Sequence, residues 1–149
     1  MDITARFKAY KDLNREIDLE IERLERLEAK ASSPTSPALS GMPLVHGGAQ
    51  QHKIEESIAR ISELKAEIKE LMERRDAERK ALDALICRLQ NPDKRLVLRL
   101  RYFDAEEWES VFHIMFGGNE DFSEKYDSYK QRVFRYHKAA LRELENISE

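Results

Sequence analysis

The stretch Trp108-Glu109-Ser110-Val111-Phe112-His113-Ile114-Met115-Phe116, followed after a gap by Tyr129-Lys130-Gln131-Arg132-Val133-Phe134-Arg135-Tyr136-His137-Lys138-Ala139-Ala140-Leu141, decides how the rest of the chain is read. Both segments place apolar side chains at helical spacing, and the second also carries the local positive charge. From Ser128 to Arg142 there is no Asp or Glu, while Lys130, Arg132, Arg135, Lys138 and Arg142 lie in a chain whose net charge is -3. A cationic helix in an acidic protein predicts an anionic partner for that helix and excludes a generally basic coat.

Upstream, Asn91-Pro92-Asp93 reads as a stop and restart, with Asn91 capping and Pro92 at the first helical position. Asp104 followed three residues later by Glu107 has the spacing of a capping box. Gly117-Gly118 predicts a helix end, and Asn119, Glu120 and Asp121 predict the start of the last helix. Three helices are therefore expected, over about 92–103, 105–116 and 120–146. A helix, a break and a basic helix in this order is the arrangement of a helix-turn-helix.

Toward the N-terminus, Phe7, Tyr10, Leu13, Ile17, Ile21, Leu24 and Leu27 recur at steps of three and four, one apolar stripe along a long helix. Residues 32–50, rich in Pro, Gly and Ser, read as a connecting loop. A second stripe follows in Ile54, Ile58, Ile61, Leu64, Ile68 and Leu71, then a polar interval, then Leu82, Leu85 and Leu89. The pattern predicts a long, coiled-coil-like antiparallel helical hairpin over 1–90 and a three-helix domain over 91–149, all-α throughout. Arg75 and Glu78 fall on the hairpin seam, and the interval around them is expected to be its solvated end because an unpaired buried charge is costly.

Of the 149 residues, 37% are charged, and Cys87 is the one cysteine. Its place among Leu82, Leu85, Ile86 and Leu89 predicts a buried thiol and leaves no disulfide or metal spacing. No leader or membrane span is read in the sequence, so a cytoplasmic protein is expected. No Gly-rich phosphate loop, nucleophile elbow or paired His is recognisable, and His46, His52, His113 and His137 stand too far apart for a metal set; neither enzyme nor cofactor is expected.

The ordered set Arg95-Leu96-Val97-Leu98-Arg99-Leu100-Arg101-Tyr102-Phe103, Trp108-Glu109-Ser110-Val111 and Arg132-Val133-Phe134-Arg135-Tyr136-His137-Lys138-Ala139-Ala140-Leu141 resembles region four of bacterial sigma factors. It is more similar still to phage and prophage proteins of the autolysin-regulator and late-transcription-regulator type. Some of these have an N-terminal helical hairpin whose loop resembles Ser40-Gly41-Met42-Pro43 and His46-Gly47-Gly48. The resemblance implies binding of double-stranded promoter DNA in a bacterial host, with host RNA polymerase as a protein partner. It places the readers at Lys130, Gln131, Arg132 and Arg135, with Lys138 and Arg142 on neighbouring phosphates; Gln pairs with adenine, and Arg or Lys with guanine. Val133, Tyr136, Ala140 and Leu144 would be the buried face.

Two departures from the family pattern matter. Phe134 stands where a polar or basic residue is usual, which points to stacking on a base or to a protein interface. Between Gly117 and Ser128 the chain has about ten residues more than a short helix-turn-helix turn, with Glu120, Asp121, Glu124 and Asp127 among them. The plain reading is that they add turns to the last helix with Phe122, Tyr126 and Tyr129 packed inward. The acids favour an alternative, a protein-binding module acting through the hairpin and the acidic insert without reading DNA. The hairpin stripe also allows a homodimer, two hairpins combining into a four-helix bundle.

Overall fold

The structure, a computed structural model, describes residues 2–32 and 47–148, with side chains for 2–32 and 51–148. Among these it is all-α: α1 Ile3–Ser32, α2 Gly47–Ile86, α3 Pro92–Leu98 running on as a π-helical turn over Arg99–Phe103, α4 Trp108–Phe116 and α5 Tyr126–Ser148. The expected loop is shorter at both ends than 32–50, since Ser32 and Gly47 are already helical. The segment Ser40-Gly41-Met42-Pro43 and His46 lie outside the described residues. No described helix is long and apolar enough to cross a membrane.

The chain divides into two compact units, one of Met1–Leu13 with Arg75–Glu149 and one of Asn14–Arg74. In the second unit Ile17, Leu64 and Ile68 are buried, and Lys65 Nζ lies 3.8 Å from Glu28 Oε1. That exposed ion pair adds at most about 1 kcal/mol; the apolar stripe holds the unit. The stripe fades toward the start of α2, where residues 51–60 are all exposed and Ile58 is 61% exposed.

In the first unit Ile3, Phe7 and Tyr10 share one apolar cluster with Leu82, Ile86, Leu89 and the buried residues of α3, α4 and α5. Thr4 N donates to Asp2 Oδ1 at 3.0 Å, capping α1, and Ile3 N donates to Glu145 Oε2 at 2.8 Å. The Phe7 ring lies 5.1 Å from that of Tyr102, and Tyr10 meets Phe103 edge-on at 5.4 Å. The polar interval of α2 is solvated at Glu73, Arg74, Asp76, Arg79 and Lys80, but Glu78 is half-buried and paired. Arg6 pairs with Glu78 through Nε, and its Nη2 reaches Glu78 Oε2 at 3.3 Å. A half-buried carboxylate is tolerable there because a guanidinium faces it in a bidentate fork.

Local chemistry moves three expected boundaries. α2 ends at Ile86 rather than near 90, and a turn then brings Leu89 inward to 2% exposure. Cys87 is consequently exposed instead of buried, with Arg99 Nη2 3.4 Å from its sulfur.

Asn91 caps α3 as expected, its side chain accepting from Asp93 N at 2.8 Å. Asp104 does not cap α4. Its N–H is already donated to Arg99 O at 3.0 Å in the π-turn, and Ala105 then adopts φ 54, so α4 begins only at Trp108 with Glu107 as a cap that makes no side-chain bond. The last helix begins at Tyr126 rather than 120; residues 119–125 form successive turns, including Phe122 N to Asn119 O at 3.1 Å. Gly117, Gly118, Asn119, Asp121 and Ser123 are poor helix formers, and the last three compete for backbone hydrogen bonds. Phe122 and Tyr129 are nonetheless buried, as the apolar pattern required.

Two outcomes follow from this packing. Ala105→Gly relieves a left-handed backbone and should stabilise the protein by about 1 kcal/mol in chemical denaturation. Phe7→Ala should destabilise the unit that contains α3, α4 and α5 by about 3–5 kcal/mol, read from the fluorescence of Trp108, the one tryptophan. A change below about 1 kcal/mol would show that the first turns of α1 are not part of that core.

Candidate nucleic-acid interface

α5 is amphipathic in a way that assigns each candidate residue a direction. Its inner face carries Val133, Ala140, Leu141 and Leu144, buried, with Tyr136 half-buried and packed against them. At 3.6 residues per turn, Gln131, Arg135, Lys138 and Arg142 fall within about 60° of arc on the opposite side and form a stripe roughly 16 Å long. All four are exposed. Lys130 and Arg132 lie roughly a quarter-turn to either side of that stripe, Arg132 exposed and Lys130 half-buried. The six candidates therefore form a central row of four with one cation on each flank.

Among the described residues, none of Lys130, Arg132, Arg135, Lys138 and Arg142 takes part in an ion pair. Of the acids of α5, Glu143 Oε1 meets Lys94 Nζ at 2.7 Å and Glu145 accepts from Ile3 N, while Asp127 in the first turn stays exposed. Lys138 and Arg142 also border an open groove of about 570 Å³ with Asp2 and Thr4 at the start of α1. Their charge thus remains available to an external anion.

Phe134, which the sequence left to a base or a protein interface, is half-buried against the aromatic core. It packs edge-on against Trp108 at 5.0 Å and Phe112 at 5.4 Å. Trp108, at the start of α4, also meets His137 at 4.9 Å and lies under the Arg101 guanidinium at 4.7 Å. His137 Nε2 is 2.8 Å from the Tyr102 hydroxyl. Burial first, then Arg101 and Lys8, push the His137 imidazole down to about 4. Burial raises the Tyr102 phenol.

Sequence reasoning missed the role of the acidic insert. The Tyr129 hydroxyl donates to Asp121 Oδ1 at 2.6 Å, and Lys125 Nζ lies 3.5 Å from Asp121 Oδ2. That hydrogen bond, aided by Lys125, holds the Asp121 carboxyl below the usual carboxylate range, and the same bond raises the Tyr129 phenol. Glu120, Glu124 and Asp127 remain exposed. Phe116 and Tyr129 stack at 5.1 Å, and the Arg132 guanidinium lies over both rings, at 5.5 and 5.3 Å from their centroids. The three-residue step from Tyr129 to Arg132 was readable as neighbours on a helix; Phe116 reaches them only through the turns of 117–125.

In comparisons with protein-family models, curated proteins and solved structures, nothing matches this chain. No group of three or more His, Cys, Asp or Glu side chains suited to a metal ion comes together among the described residues.

Protonation of His137 should set part of the acid sensitivity. A free imidazole titrates near 6.5, so between pH 6.5 and about 4 the unfolded chain takes up a proton that the folded chain refuses. Stability from this residue is complete above pH 6.5 and is lost as pH falls toward 4. His137→Gln keeps a partner for Tyr102 without titrating, and its melting temperature should fall less between pH 7 and 4.5 than that of the parent. Equal losses would remove His137 as a cause.

Proposed function

We propose that this chain is a phage- or prophage-encoded transcription regulator that binds double-stranded promoter DNA through α5, in the manner of sigma-factor region four. α3 with its π-turn, α4 and α5 act as the helix-turn-helix unit, and host RNA polymerase is the protein partner. α1 and α2 serve as an antiparallel hairpin able to join that of a second copy. The observation that carries the DNA reading is the row Gln131, Arg135, Lys138 and Arg142, exposed together on one face of α5, with no acid from Ser128 to Arg142. Such a row suits a duplex, because cations meet phosphates while an amide or guanidinium reaches base edges.

A second reading, a protein-binding module without DNA contacts, rests on the connection of residues 117–125. It is longer than a helix-turn-helix turn and leaves Glu120 and Glu124 exposed ahead of α5, with Asp127 in its first turn. Asp121 is withdrawn from that acidic surface by Tyr129 and Lys125, which weakens the objection to DNA without removing it.

Fluorescence anisotropy of the full chain with duplexes from the promoters of its own genome separates the two. DNA binding should weaken as salt rises, and Arg135→Ala with Lys138→Ala should lower the log-log salt slope by about 2, close to one per phosphate contact removed. Salt-independent or absent binding overturns the DNA reading and leaves capture of host polymerase as the decisive assay.

A further inference from the structure

We propose that Arg132 is a pre-positioned reader, held on an aromatic shelf of Phe116 and Tyr129 that Asp121 braces, and that the acidic segment is there to build this shelf. The inference rests on the DNA reading above and names what its flanking arginine does.

An exposed arginine ordinarily has many rotamers, and fixing it on a ligand opposes binding. Here the guanidinium already lies over two ring faces. A cation over ring faces spends none of its N–H donors on a carboxylate, and Arg132 makes no ion pair among the described residues. A guanidinium edge fits a paired acceptor: two oxygens of a phosphate, or O6 and N7 of guanine.

The shelf is itself constrained. Tyr129 stacks on Phe116, tilts against Phe122 at 5.9 Å, and is tethered through its hydroxyl to Asp121. Asp121 is in turn occupied by that hydroxyl and by Lys125, so its charge does not draw Arg132 away from an incoming anion. The segment that seemed to shield α5 thus supplies the support for one of its cations.

The decisive substitution is Arg132→Lys, a surface change that keeps the charge and removes the planar stacking group. Arg132→Lys should weaken duplex binding by roughly two- to fivefold, the range that cation–π ordering supplies, and Tyr129→Phe by a smaller factor in the same direction. If the acceptor is a phosphate, the loss is uniform across sequences and the salt slope, with the charge kept, stays the same; if it is guanine, the loss concentrates on one base position. In the unbound protein, ¹⁵N relaxation of the Arg132 Nε–Hε group should show it more ordered than that of Arg135, and less so in Phe116→Leu with an unchanged circular dichroism spectrum. Arg132→Lys binding like the parent, or an Arg132 side chain as mobile as Arg135, overturns the inference while parental DNA binding still stands. Absence of any duplex binding by the parent chain overturns the DNA reading, and this proposal with it.

Discussion

The burial of one face of α5 against the aromatic side chains of α4 and the π-turn is the contact on which the rest of the first unit depends. Phe134 and His137 lock onto Trp108, Phe112 and Tyr102, while Val133, Ala140 and Leu144 fill the space below them. A helix has one azimuth: once these residues point inward, Gln131, Arg135, Lys138 and Arg142 must point outward. The basic row is therefore a consequence of core packing as much as of the residues that compose it. His137 belongs to that lock, and its depressed imidazole follows from the same burial beside Arg101 and Lys8.

The core that fixes α5 draws on both ends of the chain. Ile3, Phe7 and Tyr10 enter it from α1, Leu82 and Ile86 from α2, and Leu89 from the turn that follows. α3, α4 and α5 would bury little apolar surface by themselves, so recruiting the first turns of α1 raises the buried share. The Arg6–Glu78 pair sits at this junction and replaces water around a carboxylate that would otherwise be costly to cover. The turns of 119–125 have a parallel role beside α5, where Phe122 and Asp121 converge on Tyr129.

The all-α class, the stripe of α1, that of α2 from Leu64 onward, the Asn91–Pro92 restart and the inward face of α5 were legible because each rests on spacing within a few residues. The boundaries at 86, 108 and 126 were not. Each depends on a competing backbone bond, as when the Asp104 N–H goes to Arg99 O and cannot serve a capping box. Cys87 was misread for the same reason: the periodicity that buried it assumed a helix continuing past Ile86.

By itself the sequence determined which residues of the last helix are cationic and that no acid interrupts them, since composition and local order need no partner to be read. Tertiary structure alone decided that Phe134 packs against Trp108, that Glu78 has Arg6 for company, and that Phe116 joins Tyr129 beneath Arg132. Those pairings join residues far apart in the chain or separated by irregular turns. Helical periodicity specifies the face on which a side chain lies; the path of the backbone between elements specifies what it meets there.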